Sequence, residues 1–206
     1  MDILAAEHIF GPDLGSLKGK TTRRKNTHVD MSKVNISSEL VSKYKDVILA
    51  VDIMFVDKVP YLVSISRHIK FMTVEMVKNQ KQATLMVALK QILSIYQKGG
   101  IKVVDTLADN QFECVRGEIS KLGACLNIAS TDEHVPEIER CIRTINERVC
   151  SIYNSLAFKK MPIRLIAEMN YTSMYWLNSF PSWDVVSNTL SPKPLVTGRT
   201  PDYNNH

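Results

Sequence analysis

The chain has 206 residues, 45% of them hydrophobic and 23% charged, enough to bury the core of one ordinary domain and too apolar for disorder over most of its length. Its longest strongly apolar run, residues 47–56, is far short of the ~20 residues a membrane-spanning helix needs, and its first residues lack the pattern of a signal peptide, so a soluble intracellular protein of nucleus or cytoplasm, with no membrane partner, is expected. Lys and Arg outnumber Asp and Glu 26 to 21, and the resulting charge of +5 suits a polyanionic partner without requiring one. Cys114, Cys125, Cys141 and Cys150 form no C-x-x-C pair and have no histidines at zinc-finger spacing, so no zinc is expected and the cysteines read as reduced, partly buried thiols.

Residues 1–45 carry Gly11-Pro12, Gly15, Gly19 and the basic run Lys18, Lys20, Arg23, Arg24, Lys25 with little periodicity, and read as a basic extended linker. Gly15 to Thr21 is not a phosphate loop, because three residues separate its glycines where four are needed and no strand precedes it. The basic run is either simply solvated or a phosphate contact. From Asp46 the pattern sharpens. The run 47–56, a turn at Asp57-Lys58, and the β-rich segments 59–66 and 70–77 predict three sequential antiparallel strands. Leu85, Met86, Leu89, Ile92, Leu93 and Tyr96 then recur at helical spacing up to the stop Gly99-Gly100. A fourth strand is expected over 101–107, a short helix over 113–122 and a fifth strand over 124–128. Pro136 can open a helix, and Ile138, Cys141, Ile142, Ile145, Val149 and Ile152 carry it to about Asn154. Another helix is expected from Pro162 to about Asn178, and the prolines and glycine of 181–206 suggest an irregular C-terminal tail.

Three carboxylates stand out. Asp52 alone interrupts the apolar first strand, where an ionised carboxylate is costly unless it is paired, metal-bound or locally solvated. Asp109 follows the fourth strand, where α/β sheets place their sites, although capping of the next helix explains it equally. Glu139 lies in the first turn of the helix from Pro136, where it either looks back to the sheet or meets the helix dipole, as Glu137 also can. Helix phase leaves the two glutamates undecided. Carboxylates from two strands and a helix suit two Mg²⁺ ions, which take oxygen ligands and promote phosphoryl transfer.

In these features the chain resembles the catalytic core of retroviral-type integrases, specifically those of copia-like retrotransposons, over about residues 5–206. Gly15 to Arg24 is similar to the basic linker before such cores. Val51-Asp52-Ile53 with Val59 to Ile65 resembles the first hairpin, Asp109-Asn110 the second catalytic motif and Pro136 to Arg140 the third, and Leu190-Ser-Pro192, Thr197-Gly198-Arg199 and Pro201-Asp202 the segment that follows. The resemblance implies a ribonuclease H-like fold, a mixed five-stranded sheet flanked by helices, with residues 46–180 as the core. It implies Asp52, Asp109 and Glu139 as catalytic ligands of Mg²⁺ or Mn²⁺, and Lys18, Lys20, Arg23, Arg24, Arg143 and Asn146 as DNA contacts. Arg143 is as readily a solvated arginine, but Arg143 and Asn146, four and seven residues after Glu139, share a helix face with it.

The implied activity is that of a polynucleotidyl transferase that processes and joins the 3′ ends of retrotransposon DNA, acting as a homo-oligomer. Two departures mark this chain. Only 29 residues separate Asp109 from Glu139, fewer than the family usually has, while Asp105 would lengthen the spacing but sits within a strand. The family's glycine after Asp-Asn is Gln111 here, without glycine's backbone freedom. With no zinc module before the core, the chain reads as a piece of a transposable-element polyprotein. The alternative is a catalytically inactive, nucleic-acid-binding remnant of such a polyprotein, and a nuclease of the same fold is a third reading.

Overall fold

The structure is a computed structural model and describes residues 36, 38–129, 135–158, 160–181, 186 and 190–199. The basic run Lys18, Lys20, Arg23 and Arg24 lies outside the described residues. After a short helix α1 (Ser38–Lys43) come the strands β1 (Asp46–Val56), β2 (Val59–Ser66) and β3 (Met72–Met76). Helix α2 (Gln82–Lys98) leads to β4 (Lys102–Ala108), a 3-10 helix (Asn110–Val115), α3 (Arg116–Lys121) and β5 (Cys125–Ile128). Helices α4 (Pro136–Ser155), α5 (Ile163–Ser179) and α6 (Pro192–Thr197) follow.

The sheet is mixed and five-stranded, ordered β3-β2-β1-β4-β5. β1 pairs antiparallel with β2, and β2 with β3, as short connections dictate. β4 lies parallel to β1 and β5 parallel to β4, each reached through a helical crossover. Asp57 (φ 48°) and Lys58 (φ 65°) both take left-handed backbone, which makes the two-residue turn that suits a twisted hairpin. Asp57 is a turn residue.

Because β1 is central, both its faces are covered, and this explains its nearly unbroken apolar run. Leu49, Val51 and Ile53 join the core formed with α2, while Ala50 and Met54 join that formed with α4 and α5. Asp52 shares the latter face by the strand's alternation. The β3 edge is closed by α5: Asn178 Oδ1 accepts the Met72 N–H at 2.8 Å and its Nδ2 donates to the Met72 carbonyl at 2.7 Å. At the opposite edge Arg116 Nη1 donates to the Leu126 carbonyl at 2.8 Å.

Two expectations need correction. The helix foreseen over 113–122 is split into the 3-10 helix and α3, the first opened by an Asp109 cap. The tail is not irregular throughout. Proline is tolerated in the first helical turn, so Pro192 and Pro194 start α6, and Gly198 (φ 65°) ends it. Val196 is fully buried in the α2 core, and the Gly99 backbone lies so close that a Cβ there would drive into the Val196 carbonyl.

Candidate active site

The parallel register of β1 and β4 sets the first two carboxylates side by side. A bulge between Val47 and Ile48 shifts that register, after which Ile48 pairs with Asp105 and Ala50 with Leu107. Two residues further, Asp52 is level with Asp109, just past the end of β4. Asp105 lies on the same face but four residues back, ~13 Å at about 3.3 Å per residue. It is engaged elsewhere: Asp105 accepts the Thr106 N–H at 3.0 Å and Asn127 Nδ2 at 2.6 Å. The shorter sequence spacing of Asp109 to Glu139 therefore goes with the better position.

Asp52 is half-buried, and its Oδ1 accepts the Ile53 N–H at 2.6 Å and Gln111 Nε2 at 3.4 Å. Burial raises its pKa above the ordinary carboxylate value, the Ile53 bond opposes this, and the charges of Asp109 and then Glu139 raise it further. The three carboxylates thus share one electrostatic neighbourhood. Asp109 is exposed, and its Oδ1 accepts the Asn110 N–H at 2.6 Å as the cap of the 3-10 helix.

Helix α4 starts at Pro136, whose fixed φ and missing N–H suit the first turn. Glu137 turns to the sheet's flank, where Arg67 Nε reaches its Oε1 at 3.1 Å. Glu139 instead lines an open groove of about 540 Å³ with Asp52, Phe55, Arg143, Asn146, Glu147 and Cys150. The helical spacing of Glu139, Arg143 and Asn146 places them on one wall, as the sequence indicated. Asp109 is near the groove but not among its lining residues. With Asp52, Glu139 and Glu147 against Arg143, the groove's own charges sum to an excess of negative charge.

Asp52, Asp109 and Glu139 offer only oxygen donors, the chemistry Mg²⁺ and Mn²⁺ select, and a cation would relieve the destabilised charge on Asp52. Among the described residues no three His, Cys, Asp or Glu side chains are drawn closely enough together to hold an ion. The donor set fits in kind. Asp109 and Glu139 are both exposed, so their rotamers can change without repacking the core. Residues the sequence did not mark as part of the site are Phe55 and Glu147 on the groove and Gln111 against Asp52. Only Gln111 left a signal, as the residue standing where glycine was expected.

No protein-family profile matches the chain. Nor does any curated protein match it significantly in sequence. The structure is similar to the catalytic core domain of BIV integrase, with a TM-score of 0.56 and 13% identity over 73% of this chain and 93% of that one. It is likewise similar to the catalytic core domain of HTLV-2 integrase, solved in complex with magnesium in a trimeric form, with a TM-score of 0.54 and 14% identity over 72% of this chain and 95% of that one. At such identities the likeness concerns the fold, and the chain has the ribonuclease H-like fold of these cores. Among the described residues no helix is long and apolar enough to cross a membrane.

Proposed function

We propose that the chain is an integrase-like polynucleotidyl transferase of retrotransposon, copia-like type that trims DNA 3′ ends and joins them to target DNA. On this reading residues 46–180 are the core, 1–45 a basic linker, and 181–206 a following segment. Asp52, Asp109 and Glu139 would hold Mg²⁺ or Mn²⁺. Bound there, two such cations supply activation of the attacking hydroxyl and stabilisation of the leaving oxygen. The observation that carries the proposal is the parallel register that sets Asp52 level with Asp109, with Glu139 of α4 on the same groove as Asp52.

Each side chain then has a task. Asp52, fixed by the Ile53 N–H, is the anchored member of the set. The Asp109 cap holds the loop after β4 in place. Arg143 takes a phosphate and Asn146 continues the contact one turn further along α4, with Lys18, Lys20, Arg23 and Arg24 adding sequence-independent contacts to the duplex. The HTLV-2 core's trimeric form supports assembly of this chain as a homo-oligomer.

The test is strand joining on an oligonucleotide mimic of a DNA end, together with thermal melts in Mg²⁺ or Mn²⁺. Activity should require either cation, and both activity and the cation-induced rise in Tm should vanish in Asp52→Asn. An Asp52→Asn variant with the full cation response would remove Asp52 from the site. The loose gathering of the carboxylates favours a second reading, an inactive remnant that only binds nucleic acid. That reading is selected if wild-type protein binds duplex DNA in a salt-sensitive way yet shows no cation response and joins no strands.

A further inference from the structure

Gln111 follows Asp109 by two residues, at the place where glycine was expected. Its backbone is held on both sides. Asp109 Oδ1 caps the 3-10 helix at the Asn110 N–H, and Phe112, fully buried in the α2 core, donates its own N–H to the Asp109 carbonyl at 3.0 Å. From this fixed base the exposed Gln111 side chain crosses to β1, where Nε2 donates to Asp52 Oδ1 at 3.4 Å. The loop that carries one aspartate thus reaches the other.

Which oxygen it meets decides what the bond can do. Asp52 Oδ1 already accepts the Ile53 N–H at 2.6 Å, just as Asp109 Oδ1 accepts the Asn110 N–H at 2.6 Å, so each aspartate has one oxygen tied to the backbone beside it. Each keeps Oδ2 for a cation. A second donor on Asp52 Oδ1 reinforces this division: it restricts rotation of the carboxylate without occupying Oδ2, which is how outer contacts orient groups that bind a metal directly. Resting on the proposed metal-dependent reading, we infer that Gln111 is a positioning residue, which braces Asp52 from the loop of Asp109 and so sets the two aspartates relative to each other ahead of cation binding. Glycine has no side chain to do this. The residue that costs the loop glycine's backbone freedom supplies a brace in its place.

The test titrates the whole chain with Mn²⁺, following the ion by electron paramagnetic resonance, with melts of the cation-free protein beside it. Gln111→Met, of similar length but without a donor, should weaken Mn²⁺ binding about tenfold, the small end of the range for residues that orient a ligand, because the bond is long and exposed. Its cation-free melt should match that of wild type, so the loss is not one of folding. In strand joining the half-saturating Mn²⁺ concentration should rise by about the same factor, while the rate at saturating Mn²⁺ stays within about twofold. Asp52→Asn should also shift the nuclear magnetic resonance signals of the Gln111 side-chain amide in the cation-free protein. Unchanged or tighter Mn²⁺ binding in Gln111→Met, or an amide signal indifferent to Asp52→Asn, overturns the positioning role and leaves the proposed metal site standing. No Mn²⁺ bound by wild type overturns both together.

Discussion

Glu137 and Glu139 provide a separation of stability from chemistry that the structure makes quantitative. The Glu137–Arg67 pair, 3.1 Å apart, joins side chains that are 26% and 42% exposed, so solvent screens it and its loss costs roughly 0.2–1 kcal/mol. Both glutamates lie in the first turn of α4, where removing a negative charge forfeits a further ~0.3–1 kcal/mol of interaction with the helix dipole. Glu137→Gln should therefore lower the unfolding free energy by about 0.5–2 kcal/mol, and Glu139→Gln by less because losing its charge relieves the repulsion of Asp52, measured by urea denaturation. Strand joining should rank the other way. Loss of a direct metal ligand exceeds the 10- to 100-fold typical of residues that only support one, so Glu139→Gln should slow joining by more than about 100-fold, about 2.7 kcal/mol of transition-state stabilisation. Glu137→Gln should stay within about threefold of wild type. If Glu137→Gln is the inactive variant the ligand is Glu137, and if both join strands α4 takes no part in an integrase-like reaction.

Other expectations follow from the packing. At Gly99 the backbone φ of −81° suits alanine, so Gly99→Ala should act through space alone, displacing α6 and lowering stability by about 1.5–3 kcal/mol. Combined with Val196→Ala it should cost less than the two single losses added, and full additivity would show that Gly99→Ala leaves α6 seated. Burial raises the Glu75 pKa above 4.5, so this group favours folding most below its unfolded value and that contribution fades as pH rises through the raised one. Glu75→Gln should hence gain stability over wild type at pH 7, and the gap should close by about pH 4; a constant gap across the range would contradict the shift. Cys114, Cys125 and Cys150 are exposed while burial pushes the Cys141 thiol up to about 12, so a thiol reagent should label three sites in native protein and four after denaturation.

The strands and long helices were readable because each imposes its own period on the residues it buries. β1 showed as a continuous apolar run since both its faces are covered, and α4 as an apolar stripe since one of its faces is. The register between β1 and β4 was not readable, because it depends on a bulge that no local pattern announces. Nor was the docking of α6, whose few residues look like a loop until Val196 meets the bare backbone of Gly99. Short elements take their conformation from tertiary contacts, and such contacts leave no periodic trace.

The two readings of Asp109 illustrate how a site residue hides behind a structural one. Capping and metal binding looked like rivals in the sequence, yet the cap engages Oδ1 alone, accepting the Asn110 N–H, and a carboxylate has a second oxygen. The cap also immobilises the first residues after β4, which keeps Asp109 level with Asp52 rather than adrift in a loop. Glu137 and Glu139 were inseparable for the opposite reason: helix phase assigns a direction to each, but the partner that claims one of them, Arg67, is seventy residues away in the chain. The buried stripe of Ile138, Cys141, Ile145 and Val149 fixes the rotation of α4, and that rotation leaves Glu137 where Arg67 can hold it against the flank of the sheet. That rotation carries Glu139, Arg143 and Asn146 onto the groove together, and because the buried stripe sets it, the wall on which the proposed chemistry depends survives loss of the Glu137–Arg67 pair.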